Sequence, residues 1–501
     1  MSVTKWTKEQ SEEIAKERRE NIKNSADALD VSGVRYYVSC DGDDKNDGRT
    51  PESAWKTLLR VSEADLQAGD GVFFRRGDIF RGSIETKPNV SYGAFGVGEK
   101  PRLYGWDEDL ASPELWELFD EQNGIWRYKN KILDCGTLVF DEGKSHSYKH
   151  IPSYINGRFV CREDKDKPFI ISEQLCSELD IYWHFEQTLT RKPSRGEDFP
   201  VPEVLDTYGE LYLKCSKGNP GELFDSIEAV PRRAMFYVKE NENVKIDNLC
   251  LKYIGIHAVA AWGNCVKGLR VTNCEIGWVG GTIQNYLGTD PNYPEGGRGT
   301  VTRYGNGVEI YGGCDDYEVS GCYIYQMYDA AITHQVSTFG KTYEMKNVRY
   351  LDNLVEFCVY SIEYFLDITE GGDDSFMRNI EIAGNILRNS GEGWGQQRHN
   401  KHTPAHIKGW SYTNTASEFE IHDNVFECAA YRMLHLVAKK KESLPKMYRN
   451  TYIQYENGML GQYGENENAE PPIITFDTDV DDVIHTTLGD EGALVYMLSQ
   501  N

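Results

Sequence analysis

No run of about eighteen apolar residues occurs anywhere in the chain, so no stretch is long enough to cross a bilayer as a helix. The opening "MSVTKWTKEQSEEIAKERRENIKNSADALD" lacks the apolar centre of an export signal, and the expected location is cytoplasmic. Cysteines at CxxC or CxxH spacing are missing although the chain has 12 of them, which excludes the common zinc patterns. They fall instead inside apolar runs such as "VTNCEIGW" and "VSGCYIY", as reduced core thiols would. Basic charge is short: 54 Lys and Arg face 79 Asp and Glu, a formal charge of −25. Such a surface repels nucleic acid, anionic lipid and polyanionic glycans unless a local basic groove overrides it. Neither nucleic acid nor a membrane is therefore expected as a partner, and a neutral ligand is favoured. Helical periodicity is nearly absent after residue 30.

What the chain does have is apolar material for a large core, 40% hydrophobic and 12% aromatic in 501 residues, arranged as a disguised repeat. Six segments share one pattern: "IDNLCL" from Ile246, "VTNCEI" from Val271, "VSGCYI" from Val319, "YLDNLV" from Tyr350, "IAGNIL" from Ile382 and "IHDNVF" from Ile421. Their starts lie 25, 48, 31, 32 and 39 residues apart, a coil of about two dozen residues with insertions of varying length. A second short strand belongs to each coil, among them "NGVEIYG", "DAAITHQ", "YSIEYFL", "AHIKGW" and "RMLHLVA". Period-two alternation with Asn and Gly between strands predicts an all-β fold, a right-handed parallel β-helix in which each coil closes its hydrogen bonds on the next. Asn suits the turns because it tolerates the left-handed region.

The stretches "YYVSCDGDDKNDGRTPESAWKTLLRV" and "AGDGVFFRRGDIFRGSI" resemble the first coils of the pectate-lyase-like superfamily of β-helix proteins. The likeness runs from about Arg35 to Gln462 and is nearest to β-helix glycoside hydrolases, the xylosidase, xylanase and fucosidase groups. It implies a carbohydrate-active protein and a β-rich insertion after the early coils. The expected division is an N-terminal helix at 1–30 covering the open first coil, first coils at 31–106, an inserted β-rich subdomain at 107–235, main coils with the active-site loops at 236–440, and a C-terminal coil and cap at 441–501. In the xylosidase group the two catalytic acids occupy neighbouring coils, a pattern this chain does not repeat.

Aligning the apolar centres of the second strands puts Val308, Ile310, Ile332, Ile362, Ile407, Leu434 and Leu436 inward. Glu309, Thr333, Ser361, Glu363, His406, Lys408 and His435 then face outward as one polar file. Coils rise about 4.8 Å each, so Glu309 and Glu363, two coils apart, have backbones about 10 Å from each other. Their carboxyls then approach the roughly 6.5 to 9.5 Å at which an inverting glycosidase holds a water beside the sugar. Asp329 on the intervening coil is the third candidate acid. Substrate-binding candidates are Trp278, Arg303, Tyr311, Thr333, Gln335, Glu392, Trp394, His399, His402, His406, Lys408 and His435, drawn from this face and from two long aromatic loops beside it.

The leading expectation is a glycoside hydrolase acting on a neutral oligosaccharide by two-carboxylate acid/base catalysis with inversion. One alternative is a polysaccharide lyase, with Lys408, Arg398 and Lys401 neutralising a uronate and the acidic "GGDD" turn holding calcium. Another is a non-catalytic glycan-binding β-helix. No metal is expected in the hydrolase reading, and the sequence leaves the sugar and the oligomeric state open.

Overall fold

The computed structural model describes the chain except residues 1–3, 28, 156, 187–189, 193–199, 288–300, 399–402, 410–415, 467–468, 478 and 499–501. The candidates His399 and His402, with Lys401, lie outside the described residues.

The strand Val308–Ser320 shows how the repeat builds the fold. Its Val308, Ile310, Cys314, Tyr317 and Val319 are fully buried, and it bends at Gly312–Gly313 to serve two faces. The first half pairs in parallel with Val259–Lys267 on one side and Ala330–Ser337 on the other. The second half pairs with Arg270–Thr272 and Glu344–Leu351. A third face stacks Glu275–Val279, Tyr323–Met327 and Leu354–Glu356 in the same sense. Three parallel sheets thus enclose one core running from Val38 to Val495, a right-handed parallel β-helix.

The turn between the second and third faces repeats with a refinement of the expected role of Asn. The left-handed residue is Asn273, Gly321, Asp352, Gly384, Asp423 or Arg449 in successive coils. The residue after it points inward, and in four coils it is Asn: Asn353, Asn385, Asn424 and Asn450 are all buried. Their amides form a ladder, Nδ2 of Asn353 donating to Asn385 at 2.9 Å, Asn385 to Asn424 at 2.9 Å, Asn424 to Asn450 at 3.1 Å, and Asn450 to Asp490 at 2.8 Å. Each rung also takes up backbone groups that the turn would leave unpaired, such as the Asn353 N–H on Asn385 Oδ1 at 3.0 Å.

The chain leaves the coils after Arg102–Tyr104 and rejoins them at Phe236–Lys239. The intervening segment folds as a mostly antiparallel subdomain with a core of its own. That core also takes Ile283, Tyr286 and Val301 from the hairpin Thr282–Tyr286 and Val301–Tyr304, which projects from a main coil. A second tie is Gln397, whose side chain accepts from the Lys149 N–H at 3.2 Å and donates to the Ser147 carbonyl at 2.7 Å.

The N-terminal helix is present at Lys8–Lys23, capped by Thr7 and Gln10. It covers the outer side of the third sheet, not the open end of the first coil. Ala15 and Ile22 pack on Tyr323, Leu354 and Ile386, while Arg19 reaches Glu356 and Arg388 bridges Glu12 and Glu356 at 2.9 and 2.6 Å. Those outward apolar and charged groups of the sheet need a partner, and the stripe Ser11, Ala15, Ile22 supplies one. The preceding strand Thr4–Trp6 pairs with Leu494–Leu498 at the far end of the same sheet. Leu58 and Val61 of the short helix Leu58–Glu63 join the main core near its beginning, and Val480 and Ile484 of the helix Val480–Thr486 join it near its end. All 12 cysteines are free thiols, and no helix among the described residues is long and apolar enough to cross a membrane.

Candidate active site

Parallel pairing sets the outer file of the first sheet residue by residue. Glu309 stands opposite Thr333, Thr333 opposite Glu363, Glu363 opposite Lys408, Lys408 opposite His435, and His435 opposite Gln462. Two strand spacings separate the backbones of Glu309 and Glu363, about 10 Å. Asp329 sits at the corner just before the intervening strand, so three acids occupy three successive coils. Thr333 lies between the two glutamates, fully buried, with a hydroxyl that has no hydrogen-bond partner among the described residues.

Glu309 is held in a buried, strongly perturbing environment. Its side chain is 12% exposed, and its Oε2 is approached by Asn306 Nδ2, by His257 Nδ1 at 3.3 Å and by Gln335 Nε2 at 3.5 Å. His257 Nδ1 already accepts the Asn306 N–H at 3.0 Å, and burial pushes the imidazole down to about 3, so it is neutral. An ionised Glu309 would face that lone pair unfavourably, whereas a protonated one would not. Burial, with the like charge of Asp329 adding to it against the Asn306 hydrogen bond, raises the Glu309 carboxyl to about 7. Asn306 also accepts the Ala330 N–H at 2.8 Å, which ties the acid to the corner that carries Asp329.

Asp329 forms an ion pair with Arg398, which follows the turn Trp394–Gln397. That carboxylate holds the Arg398 guanidinium well above its ordinary value despite burial. Lys408 is buried, donates from Nζ to Tyr360 Oη at 3.1 Å and lies over the Tyr360 ring. Burial lowers its pKa, opposed by the charge of Glu363.

Other candidates are placed differently from expectation. His406 does not face outward: it is fully buried at the interior corner, its ring 6.1 Å from that of the core residue Phe426, and Ser361 beside it is buried too. Ser361 and Ile362 are both fully buried, as are His406 and Ile407, so a buried-exposed alternation does not hold at these positions. Trp278 and Trp394 are 5% and 3% exposed and pack on each other and on Tyr328, fastening the loops instead of offering a face to a sugar. Arg303 is 3% exposed, spread over the Tyr328 ring. Glu392 is exposed on the far side of Trp394, in a cavity of about 670 Å³ shared with His146, Tyr148 and Asp180, whose walls include none of the three acids.

Tyr311, 38% exposed, lies in register between Trp262 and Gln335, and Gln335 faces Phe365. Trp262, 42% exposed, stands beside the acid file, although the run Ile254 to Trp262 reads as plain core in the sequence. Alternation from Val259 and Ala261, both buried, identifies it as outward. His257, Asn306, Tyr360 and Arg432 are further site residues without a motif to announce them. Among the described residues no group of three or more His, Cys, Asp or Glu is disposed to hold a metal ion. Of the "GGDD" region, Asp367 accepts from Ser337 and Thr369 at 3.3 and 3.1 Å.

No family model and no curated protein matches the sequence. Among solved structures, a complex of XylC with xylose is similar at 9% identity over 89% of this chain and 73% of that one, with a TM-score of 0.43. A GH136 lacto-N-biosidase from Eubacterium ramulus is similar at 12% identity over 94% and 68%, with a TM-score of 0.36. A family 28 exopolygalacturonase from Yersinia enterocolitica is similar at 10% over 94% and 77%, with a TM-score of 0.34.

Proposed function

We propose that the protein is a glycoside hydrolase in which Glu309 is the general acid and Glu363 the general base. The observation that carries this is the acid file itself: one carboxyl kept protonated to about 7 by burial and by Asp329, with a second two rungs away. Glu309 gives its proton to the glycosidic oxygen as the bond to the anomeric carbon breaks. Glu363 takes a proton from a water that attacks that carbon from the opposite side, and the product emerges with inverted configuration. Asp329, anchored by Arg398, keeps Glu309 loaded. Trp262 and Tyr311 offer exposed rings along the same face. Glu363→Gln is expected to lower kcat by more than about 10²-fold with the thermal transition retained, and product anomers followed by NMR report the stereochemistry. Normal turnover in Glu363→Gln removes this reading.

One observation favours a second reading. Lys408 is buried with its pKa lowered, the state required of a base that abstracts the proton beside a uronate carboxylate. β-Elimination there would yield an unsaturated sugar with a new ultraviolet absorbance, which hydrolysis does not produce.

A further inference from the structure

The net charge of −25 conceals cations on the acid face. Lys408 follows Glu363 in the outer file, Arg398 and Arg432 both lie close enough to Tyr360 and Lys408 to act on them, and Arg232 acts on His257. Arg398 has Asp329 as its counter-ion. Arg432 is 8% exposed with no carboxylate among the described residues within ion-pair distance, whereas the equally buried Arg232 and Arg303 donate to the carbonyls of Ile283, Gly281 and Gly136. A cation withdrawn from water without a partner costs several kcal/mol, and a binding site tolerates that cost when its ligand brings the missing charge.

Arg432 shows where that charge would sit. Its Nη1 donates to Gln462 Oε1 at 2.7 Å, and its guanidinium lies 5.1 Å from the Tyr431 ring. Nε is buried with no hydrogen-bond partner, and Nη2 makes none among the described residues. The Nε and Nη2 edge is the side-on fork that matches two oxygens of a carboxylate or sulfate. Three residues on, His435 Nδ1 is likewise buried without a partner among the described residues. The strand Arg432–Ala438 is the rung after Lys408 and two rungs after Glu363, about 10 Å along the helix axis from the latter, which is the reach of a neighbouring sugar.

We propose that the face carrying the acids takes an acidic glycan, with a uronate carboxylate or a sulfate ester of one sugar held by the unpaired edge of Arg432 beside His435. This rests on that face being a glycan-cleaving site, and it replaces the expectation of a neutral substrate drawn from net charge.

The test is calorimetric binding to the full chain of four ligands: a uronate-bearing oligosaccharide, the same compound with its carboxyl reduced to the alcohol, a sulfated oligosaccharide and its desulfated form. Roughly 10- to 100-fold tighter binding of at least one charged ligand over its neutral counterpart is expected, the size of a charge-assisted hydrogen-bonded pair, and the arm that shows it names the substituent. Arg432→Gln should collapse that ratio and Arg432→Lys retain part of it. Should Arg432→Gln fail to fold, loss of the ratio with rising salt in the wild-type protein is the second readout. Equal binding of charged and neutral forms in both arms, or a ratio intact in folded Arg432→Gln, overturns the proposal. Charge-selective binding without cleavage of any ligand supports it and sinks the hydrolase reading, whereas turnover of neutral glycans with no charge preference does the reverse.

Discussion

Replacing Glu309 by Gln tests the chemistry and the electrostatics at once. The carboxyl rises from 4.5 to about 7 in the folded chain, and at about 1.4 kcal/mol per pKa unit this is worth about 3 kcal/mol. Its side chain is 12% exposed, so solvent screens little of that. Folding disfavours the ionised form, so the stability attached to Glu309 is fully present below about pH 4.5, where folded and unfolded chains both hold the proton. It is lost as pH rises through about 7, the unfolded chain having released its proton earlier. Wild type should therefore lose about 3 kcal/mol over this window that Glu309→Gln does not lose. With an unfolding entropy of about 2.1 cal/mol/K per residue, or about 1 kcal/mol/K for 501 residues, the difference is a Tm gap of about 3 °C that opens between acid and mildly alkaline pH.

Activity gives the matching readout. As general acid, Glu309 is competent while protonated, so kcat/KM should fall about tenfold per pH unit above about 7. Glu309→Gln should lower kcat by about 10²- to 10⁴-fold and abolish that limb. Differential scanning calorimetry across pH, with pH–rate profiles on a cleaved oligosaccharide, measures both. Parallel Tm–pH curves for the two proteins, or an alkaline limb that survives in Glu309→Gln, would refute the assignment of a protonated buried acid.

Asp329→Asn removes the charge that helps to keep Glu309 protonated, so the alkaline limb should move to lower pH; it also strands Arg398, a loss of about 3–5 kcal/mol if the pair behaves as buried, read by thermal unfolding. Asn385→Leu breaks the turn ladder at its middle, where the side chain accepts from the Asn353 N–H and donates to the Tyr350 carbonyl at 2.8 Å, and should cost about 2–5 kcal/mol without altering KM. Trp262→Ala should leave Tm within about 1 °C and raise KM roughly 3- to 10-fold, the worth of about 0.5–1.5 kcal/mol from one aromatic face, with an unchanged KM counting against the aromatic platform.

The coils were legible because their signal is local and periodic. Val308, Ile310, Ile332 and Ile362 announce an inward row, and the register that follows places Glu309, Thr333, Glu363, Lys408 and His435 on one outer file as the structure has them. Alternation from Ile407 places His406 outward, but both residues are fully buried and the His406 ring lies beside the core residue Phe426, a contact between faces that a local period does not carry. Trp394 belongs to a loop, where no periodicity tells whether an aromatic faces solvent or pins the loop down, and Trp278 lies in the strand Glu275–Val279 with a left-handed backbone that breaks the alternation. Against them, the exposed Trp262 follows the strand rule and was obscured by the apolar residues around it. The contact of Gln397 with the subdomain depends on tertiary closure across 248 residues, and nothing in the local sequence encodes it.

Charge was the least legible property, for a reason that bears on function. A formal charge of −25 is a sum over a molecule much longer than the Debye length, about 8 Å at physiological ionic strength. A ligand on the acid face responds to groups within that distance, and these include Arg398, Lys408 and Arg432 beside Asp329 and Glu363. Many of the other carboxylates sit elsewhere: Glu12, Glu356 and Glu427 serve the N-terminal helix, and Asp423, Asp316 and Glu318 pair with Arg449, Arg270 and Arg349 on the second face. An acidic exterior around these cations sets long-range repulsion against short-range attraction for an anionic glycan. Added salt screens the first before the second, so the association rate of such a ligand should rise with moderate salt before falling at high salt, a profile that a neutral ligand does not share and that stopped-flow binding would distinguish.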